Sequence, residues 1–264
     1  LAFVSFQATF AIITVALISG AVADRAKFGA WRVFAGLWAT LVYFPVAGWI
    51  FNFTLTDGKI TDGGWLVYNM GVMDFAGGTV VEVASGASAL ALALVLGKRF
   101  GFTKGMHAPH NVPLVLIGVA ILWFGWFGFN AGSALAANGT AAMAFATTTT
   151  SSAAAMLTWI FFDRMNGRKV SALGACIGAV VGLVAITPAA GFISVPESMF
   201  FGFVTALVSN TAVNCKYSKR FDDTLDVFAC HGVGGIMGMI LTAIFAHGEN
   251  ASLLHGGWSV FGHH

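Results

Sequence analysis

Charge is what this sequence has least of. Among 264 residues there are 13 Lys or Arg and 11 Asp or Glu, so 9% of the chain is charged. A water-soluble domain needs about a quarter of its residues charged to keep its surface wetted. The shortage excludes an ordinary soluble enzyme or binding module, and no soluble domain stands out along the chain. The formal net charge of +2 is small, and no nucleic-acid partner is expected. Cysteine is also sparse: Cys176, Cys215 and Cys230 lie in or beside apolar runs without short metal-ligand spacing, which reads as buried thiols and leaves the redox compartment open. No Gly-x-Ser-x-Gly elbow and no His-Glu-x-x-His signature occurs, so neither an enzyme nor a cofactor or metal is expected. A basic leader and a small-residue cleavage pattern are lacking too. The chain opens at Leu1 inside an apolar run, which predicts a portion of a longer protein without a signal peptide.

What is abundant is apolar. Hydrophobic residues make up 58%, with 33 Gly and 25 Phe, and the mean hydropathy is +0.83. Such a chain faces lipid, and its glycines let helix backbones approach closely. A helix needs about 20 apolar residues to cross a hydrocarbon core of roughly 30 Å. Eight windows fit, at roughly 1–22, 31–53, 75–96, 111–131, 136–162, 171–187, 198–215 and 226–246. Their short connections predict one all-α transmembrane domain over 1–264. Twelve of the 13 basic residues fall in alternating loops: Arg25, Lys27 and Arg32; Lys98, Arg99 and Lys104; Arg164, Arg168 and Lys169; Lys216, Lys219 and Arg220. Lys59 is the exception, and the opposite loops hold Asp57, Asp62, Glu197 and Glu249. The positive-inside rule then runs the first helix from outside to inside. The stretch 54–73, with Gly58, Gly63 and Gly64, reads as an external loop.

Ionisable groups within the spans are expensive, so each needs a reason. Glu82 and His231 stand out: an isolated charge at mid-bilayer costs about 2.5–3.5 kcal/mol on insertion scales. Their surroundings are alike, since an acid (Asp74, Asp226) precedes each and a glycine (Gly86, Gly235) follows four residues later. Two structural repeats that bring Glu82 and His231 face to face would explain this, as would an interhelical hydrogen bond that only holds the bundle together. Asp74 and Asp226 read as helix caps, and Asp24 beside Arg25 as a surface pair. The hydroxyl run Thr147 to Ser152 is expected to bond back to backbone carbonyls or pack helix on helix. Aromatic residues gather at predicted outer depth: Phe6, Phe10, Trp49, Phe51, Trp123, Trp126, Phe127 and Phe129, with Asn130 and Ser133 after them. Interfacial belts account for many such residues, whereas a cluster of rings with a hydroxyl nearby also suits a small cation.

In these residues the sequence resembles the ammonium transporter family (Amt, with its Mep and Rhesus relatives). The resemblance lies in Phe6-Gln7-Ala8-Thr9-Phe10-Ala11, in Asp74-Phe75-Ala76-Gly77-Gly78-Thr79-Val80-Val81, in the run Gly125 to Ser133 and in the run Asp226 to Gly235, with Pro109-His110-Asn111-Val112-Pro113 and Thr187-Pro188-Ala189 between them. It covers essentially the whole chain. The resemblance implies an eleven-helix fold with inverted repeats, assembled as a homotrimer in the plasma membrane. This chain would supply about eight of the eleven helices, lacking the first two and the last. By the same resemblance, Phe10 and Phe129 would be stacked gating rings. Ser133 would accept a hydrogen bond from ammonium, with Phe10, Phe51 and Trp126 beside it and Asp74 in support. His231 would be one of two paired pore histidines. Two positions depart from the family pattern. Phe51 stands where the outer tryptophan aligns, and Glu82 stands at the first pore histidine, as in some fungal members.

The expected function is therefore ammonium uptake. The ion would be recruited among rings, deprotonated, and passed as ammonia along an apolar passage lined by Glu82 and His231. A rival reading is an ammonium sensor with little net transport. The resemblance also brings a PII-type regulatory protein as a partner at the cytoplasmic face.

Overall fold

The computed structural model describes residues 1–56, 59–102, 109–215 and 220–247, without the side chains of 55, 56, 59 and 60. Asp57, Gly58, Lys104, Lys216, Lys219 and Glu249, which belong to the predicted loop pattern, lie outside the described residues, as does the side chain of Lys59.

Among the described residues, eight helical rods lie within three residues of the eight apolar windows at either end. In chain order, α1 is Ala2–Val22, ending in a 3-10 turn, and α2 is Phe28–Ile50. A short helix, α3, is Trp65–Tyr68. Next come α4 (Gly78–Leu96) and α5 (Val112–Ala134), followed by α6 (Gly139–Met165), α7 (Ala172–Ile186) and α8 (Val195–Asn214). The last described rod is α9 (Phe228–Phe245). Five of these, α1, α2, α4, α5 and α9, are long and apolar enough to cross a membrane. The stretch 54–73 is not simply a loop. Phe53–Thr56 (β1) pairs antiparallel with Lys59–Gly63 (β2), with an irregularity between Thr54 and Leu55.

Three rods contain a widened turn. In α2 it covers Ala39–Tyr43, ending two residues before Pro45, whose missing N–H and bulky ring disrupt the regular ladder. In α4 it covers Gly78–Val83, and the Glu82 amide donates to Gly77 O, five residues back, at 3.1 Å. In α9 it covers Phe228–Gly232, closed by the Val233 amide on Phe228 O. Glu82 and His231 thus both sit on π-helical turns, a feature frequent at functional sites because it re-aims side chains.

The hydroxyl-rich stretch of α6 does as expected. Thr148, Thr149 and Thr150 donate to the carbonyls of Ala144, Phe145 and Ala146 in their own helix. Thr147, Ser151 and Ser152 reach out to Ala190, Gly182 and Ala179, each at 2.8 Å. These bonds join α6 to α7 and to the turn after it without any exposed polar surface.

The crossing of α4 and α9 depends on two glycines. A Cβ at Gly86 would run into the backbone of Gly232, and one at Gly235 would lie 2.8 Å from Glu82 Cβ and 3.2 Å from Gly78 O. Each helix therefore presses its glycine against the partner's polar turn. Gly86→Ala is expected to destabilise the protein by about 1–3 kcal/mol, the cost of overpacking a filled contact. Thermal unfolding in detergent measures this, with Gly29→Ala, where nothing lies within 4 Å, as the control.

Candidate functional site

Three rods bring the aromatic residues together. Phe10 (α1) stacks on Phe129 (α5), with centroids 4.5 Å apart and planes at 23°. Phe51, just beyond α2, meets Phe10 edge-on at 6.0 Å, and Phe6 meets it at 4.9 Å. Trp126 packs on Phe129 at 5.1 Å while its indole N–H donates to Thr187 Oγ1 at 2.9 Å. Phe10 is 1% exposed. Ser133 lies one turn beyond Phe129 and donates its hydroxyl to Phe129 O at 2.8 Å. With that hydrogen used, the oxygen can only accept from a further partner. Two predicted members do not join: Trp49 turns outward to pair with Trp65, and Phe127 stacks on Phe145 instead.

Asp74 caps α4. Its carboxylate accepts the amides of Gly77, Gly78 and Thr79 at 2.7, 2.6 and 2.7 Å. The turn needs Gly77, whose φ is +112°, and a Cβ there would sit 3.7 Å from the Phe10 ring. Asp74 therefore shapes the wall beside the stacked rings through the backbone.

Below the rings, Glu82 Oε2 and His231 Nδ1 are 2.6 Å apart. Glu82 is fully buried and His231 is 7% exposed. One proton lies between the two atoms, whichever of them carries it. Glu82 Oε1 is also buried and has no hydrogen-bond partner.

The two halves match in finer detail than the sequence pattern suggested, and one cap is reassigned. The Phe228 amide donates at 2.7 Å to Asp223, not to Asp226. Asp223 precedes His231 by eight residues, as Asp74 precedes Glu82. Five residues before each polar residue the backbone is left-handed: Gly77 in one half, Asp226 (φ +54°) in the other. Asp226 thus occupies the glycine position of its half and does not cap the helix.

The basic end holds a further correction. Arg25 does not pair with Asp24. It reaches Asp222 at 3.2 Å, while Asp24 lies 3.7 Å from Arg99. Arg99 grips both Asp222 oxygens, with Nη2 on Oδ1 and Nε on Oδ2 each at 2.8 Å. Burial works against the ionised Asp222 carboxyl, but the hydrogen bonds and charge of Arg99, helped by Arg25, outweigh it and hold the group below its ordinary value. Sequence reading passed over Asp222 because nothing local marks it among Asp222, Asp223 and Asp226. Cys176 and Cys230 are buried, as expected, whereas Cys215 is only partly buried.

A bundle of apolar rods with a buried acid–imidazole pair behind stacked rings defines a multi-pass membrane protein. The chain belongs to the Ammonium Transporter Family, whose profile matches residues 1–263, a family of transporters and not of enzymes. It is 52% identical over 248 residues to an ammonium transporter of Mycobacterium tuberculosis, covering 94% of this chain and 51% of that protein. It is 44% identical to ammonium transporter 2 of Schizosaccharomyces pombe, covering all of this chain and 51% of that one. The crystal structure of Saccharomyces cerevisiae Mep2 superposes with a TM-score of 0.84 at 41% identity, over 95% of this chain and 56% of that chain. A sensor Amt protein superposes equally, at 0.84 and 27% identity, over 94% of this chain and 64% of that one. The chain thus spans about half the length of the curated relatives it matches.

Asp226 provides a pH test. Burial, then the charge of Asp223, push its carboxyl from the ordinary 3.8 up to about 7, with Arg99 pulling the other way. A raised folded-state value means that ionisation opposes folding. The penalty is absent below about pH 4, grows as pH rises toward 7, and is constant above. The melting temperature of Asp226→Asn relative to wild type is therefore expected to climb between pH 4 and 7 and then level off. A difference that stays flat across that range would contradict it.

Proposed function

We propose that this chain is the translocating core of an ammonium transporter, and that ammonium crosses it by giving up a proton. Ammonium and potassium ions are alike in size and charge, so a charge-lined pore separates them poorly. A site that accepts hydrogen bonds, followed by a dry passage, discriminates better, because only ammonium can leave its proton behind. On this reading Phe10, Phe51 and Ser133 replace part of the ion's hydration, with Trp126 and the Asp74-capped turn shaping the site. Ring faces attract a desolvated cation by about 0.5–2 kcal/mol, and phenylalanine at position 51 makes a weaker partner than tryptophan. The Phe10–Phe129 stack closes the way to water and ions.

The observation that carries the proposal is the buried contact of Glu82 with His231. With Nδ1 engaged, Nε2 is the ring nitrogen left to face the passage. The pair then accepts, relays or returns the proton while ammonia passes. The eight rods correspond on this reading to the third to tenth of eleven helices, in a homotrimer of the plasma membrane with a PII-type protein as regulator.

The likeness to the sensor Amt protein supports a second reading, in which ammonium is bound with little net flow. Ammonium-pulse currents through proteoliposomes separate the two. Transport gives a sustained current or uptake, whereas a sensor binds ammonium without either.

Three variants test the roles. Glu82→Gln keeps a hydrogen-bonding partner for His231, avoiding the roughly 3–5 kcal/mol that an orphaned buried partner costs, and is expected to lower the current. Glu82→His is expected to shift the pH optimum. Identical pH profiles and identical potassium leakage for Glu82→His and wild type would sink the proton-relay role. Phe129→Ala is expected to raise ion leakage about tenfold, as a loss of about 1.4 kcal/mol from the barrier implies. Unchanged conduction would remove Phe129 from the gate.

A further inference from the structure

The helices bearing Phe10, Glu82 and His231 meet again at the basic end, away from Phe10 and Glu82 and nine residues before His231. Gly97, at the end of α4, is 15 residues beyond Glu82, about 22 Å along a helix. The Arg25 guanidinium donates to Ala21 O at the end of α1, to Gly97 O, and to Asp222 O ahead of α9. The Arg99 amide donates to Asp222 Oδ2 at 2.7 Å, in addition to its side-chain grip. Thr224 Oγ1 donates to Ala23 O at 3.1 Å. Asp222 has no exposed surface, and the Arg25 and Arg99 side chains are 10% and 9% exposed.

The α9 end needs this support more than the α4 end does. Asp74 alone holds three consecutive amides of its turn. Asp223 holds the Phe228 amide at 2.7 Å, with the Val227 amide also nearby, and its Oδ1 is buried without a hydrogen-bond partner. The turn carrying Glu82 is set by a strong local cap, whereas the turn carrying His231 receives much of its placement from residues distant in sequence.

We infer that Asp222 is a positioning residue for the passage: clamped by Arg25 and Arg99, it sets the slide of α9 against α1 and α4 and so brings His231 onto Glu82. Buried ion pairs are poor sources of stability but can specify one arrangement over near alternatives. The charged and titratable groups around this clamp are Arg25, Arg99, Asp24, Asp223 and Asp226, with His231 and Cys230 near enough to Asp223 to interact electrostatically. The inference rests on the transport reading for its functional consequence and on geometry alone for its structural one.

The test uses the protein in proteoliposomes, with ammonium-pulse currents across pH and hydrogen exchange of the amides 224–232. Asp222→Asn is expected to move the pH of half-maximal current by about one unit, the size of a typical charge-partner effect, and to speed exchange across 224–232. On a Glu82→Gln background the same substitution is expected to move the pH profile no further. Arg99→Lys, which keeps the charge but loses the two-pronged grip, should fall between wild type and Asp222→Asn. Arg164→Gln, on an exposed stretch of the same end, serves as the unchanged control. A wild-type pH profile in folded Asp222→Asn, or a shift that persists fully with Glu82→Gln, overturns the inference. Should Asp222→Asn fail to fold, an unchanged profile in Arg99→Lys overturns it. Should no protein, wild type included, carry current, the transport reading fails separately, and unchanged exchange at 224–232 then overturns the clamp.

Discussion

A carboxyl group and an imidazole removed from water must satisfy one another, since hydrocarbon offers neither a partner. Much of the structure follows from holding Glu82 and His231 at hydrogen-bonding distance. The two rods that carry them must cross almost backbone to backbone, so Gly86 and Gly235 lie at the contact. The polar side chains must also be aimed inward across that crossing, and each sits on a widened turn. Such turns disturb the helix start, where amide donors would otherwise be unpaired. Asp74 and Asp223 accept hydrogen bonds there.

The two halves use one plan with different strengths. In both, an acid stands eight residues before the polar residue, a left-handed residue five before, and a glycine four after. In the α4 half a single carboxylate anchors the turn through three amides, and glycine takes the left-handed position at little cost. In the α9 half that position is occupied by Asp226, a conformation sparsely used by residues with a Cβ. Anchoring there extends to the arginine clamp around Asp222. The Glu82 turn is thus locally built, and the His231 turn is tied to the ends of two other rods.

The rings form a separate layer above the pair. Phe10 belongs to both environments, since it stacks on Phe129 and lies beside the turn capped by Asp74. That turn continues directly into the widened segment carrying Glu82. A change at the capped turn therefore acts on the ring layer and the acid–imidazole layer together. The hydroxyls of α6 play another part: they tie neighbouring rods without presenting a polar face to lipid, which is why a Thr- and Ser-rich helix is compatible with this bundle.

The linear pattern of apolar runs by itself located the helical rods of the described residues to within about three residues, five of them long and apolar enough to cross a membrane, because lipid requires such runs to be helical. It also singled out Glu82 and His231, since an ionisable residue in such a run is conspicuous. Packing alone decided the rest. Asp223, and not Asp226, became the cap, because capping depends on which oxygen reaches an amide. Arg25 chose Asp222 over its sequence neighbour Asp24, because three distant chain segments converge there. Trp49 and Phe127 left the ring cluster while Phe10, Phe51 and Phe129 entered it, since the facing direction of a side chain depends on rod rotation, which composition does not encode. Only the assembled crossing of α4 and α9 determines where each polar side chain points.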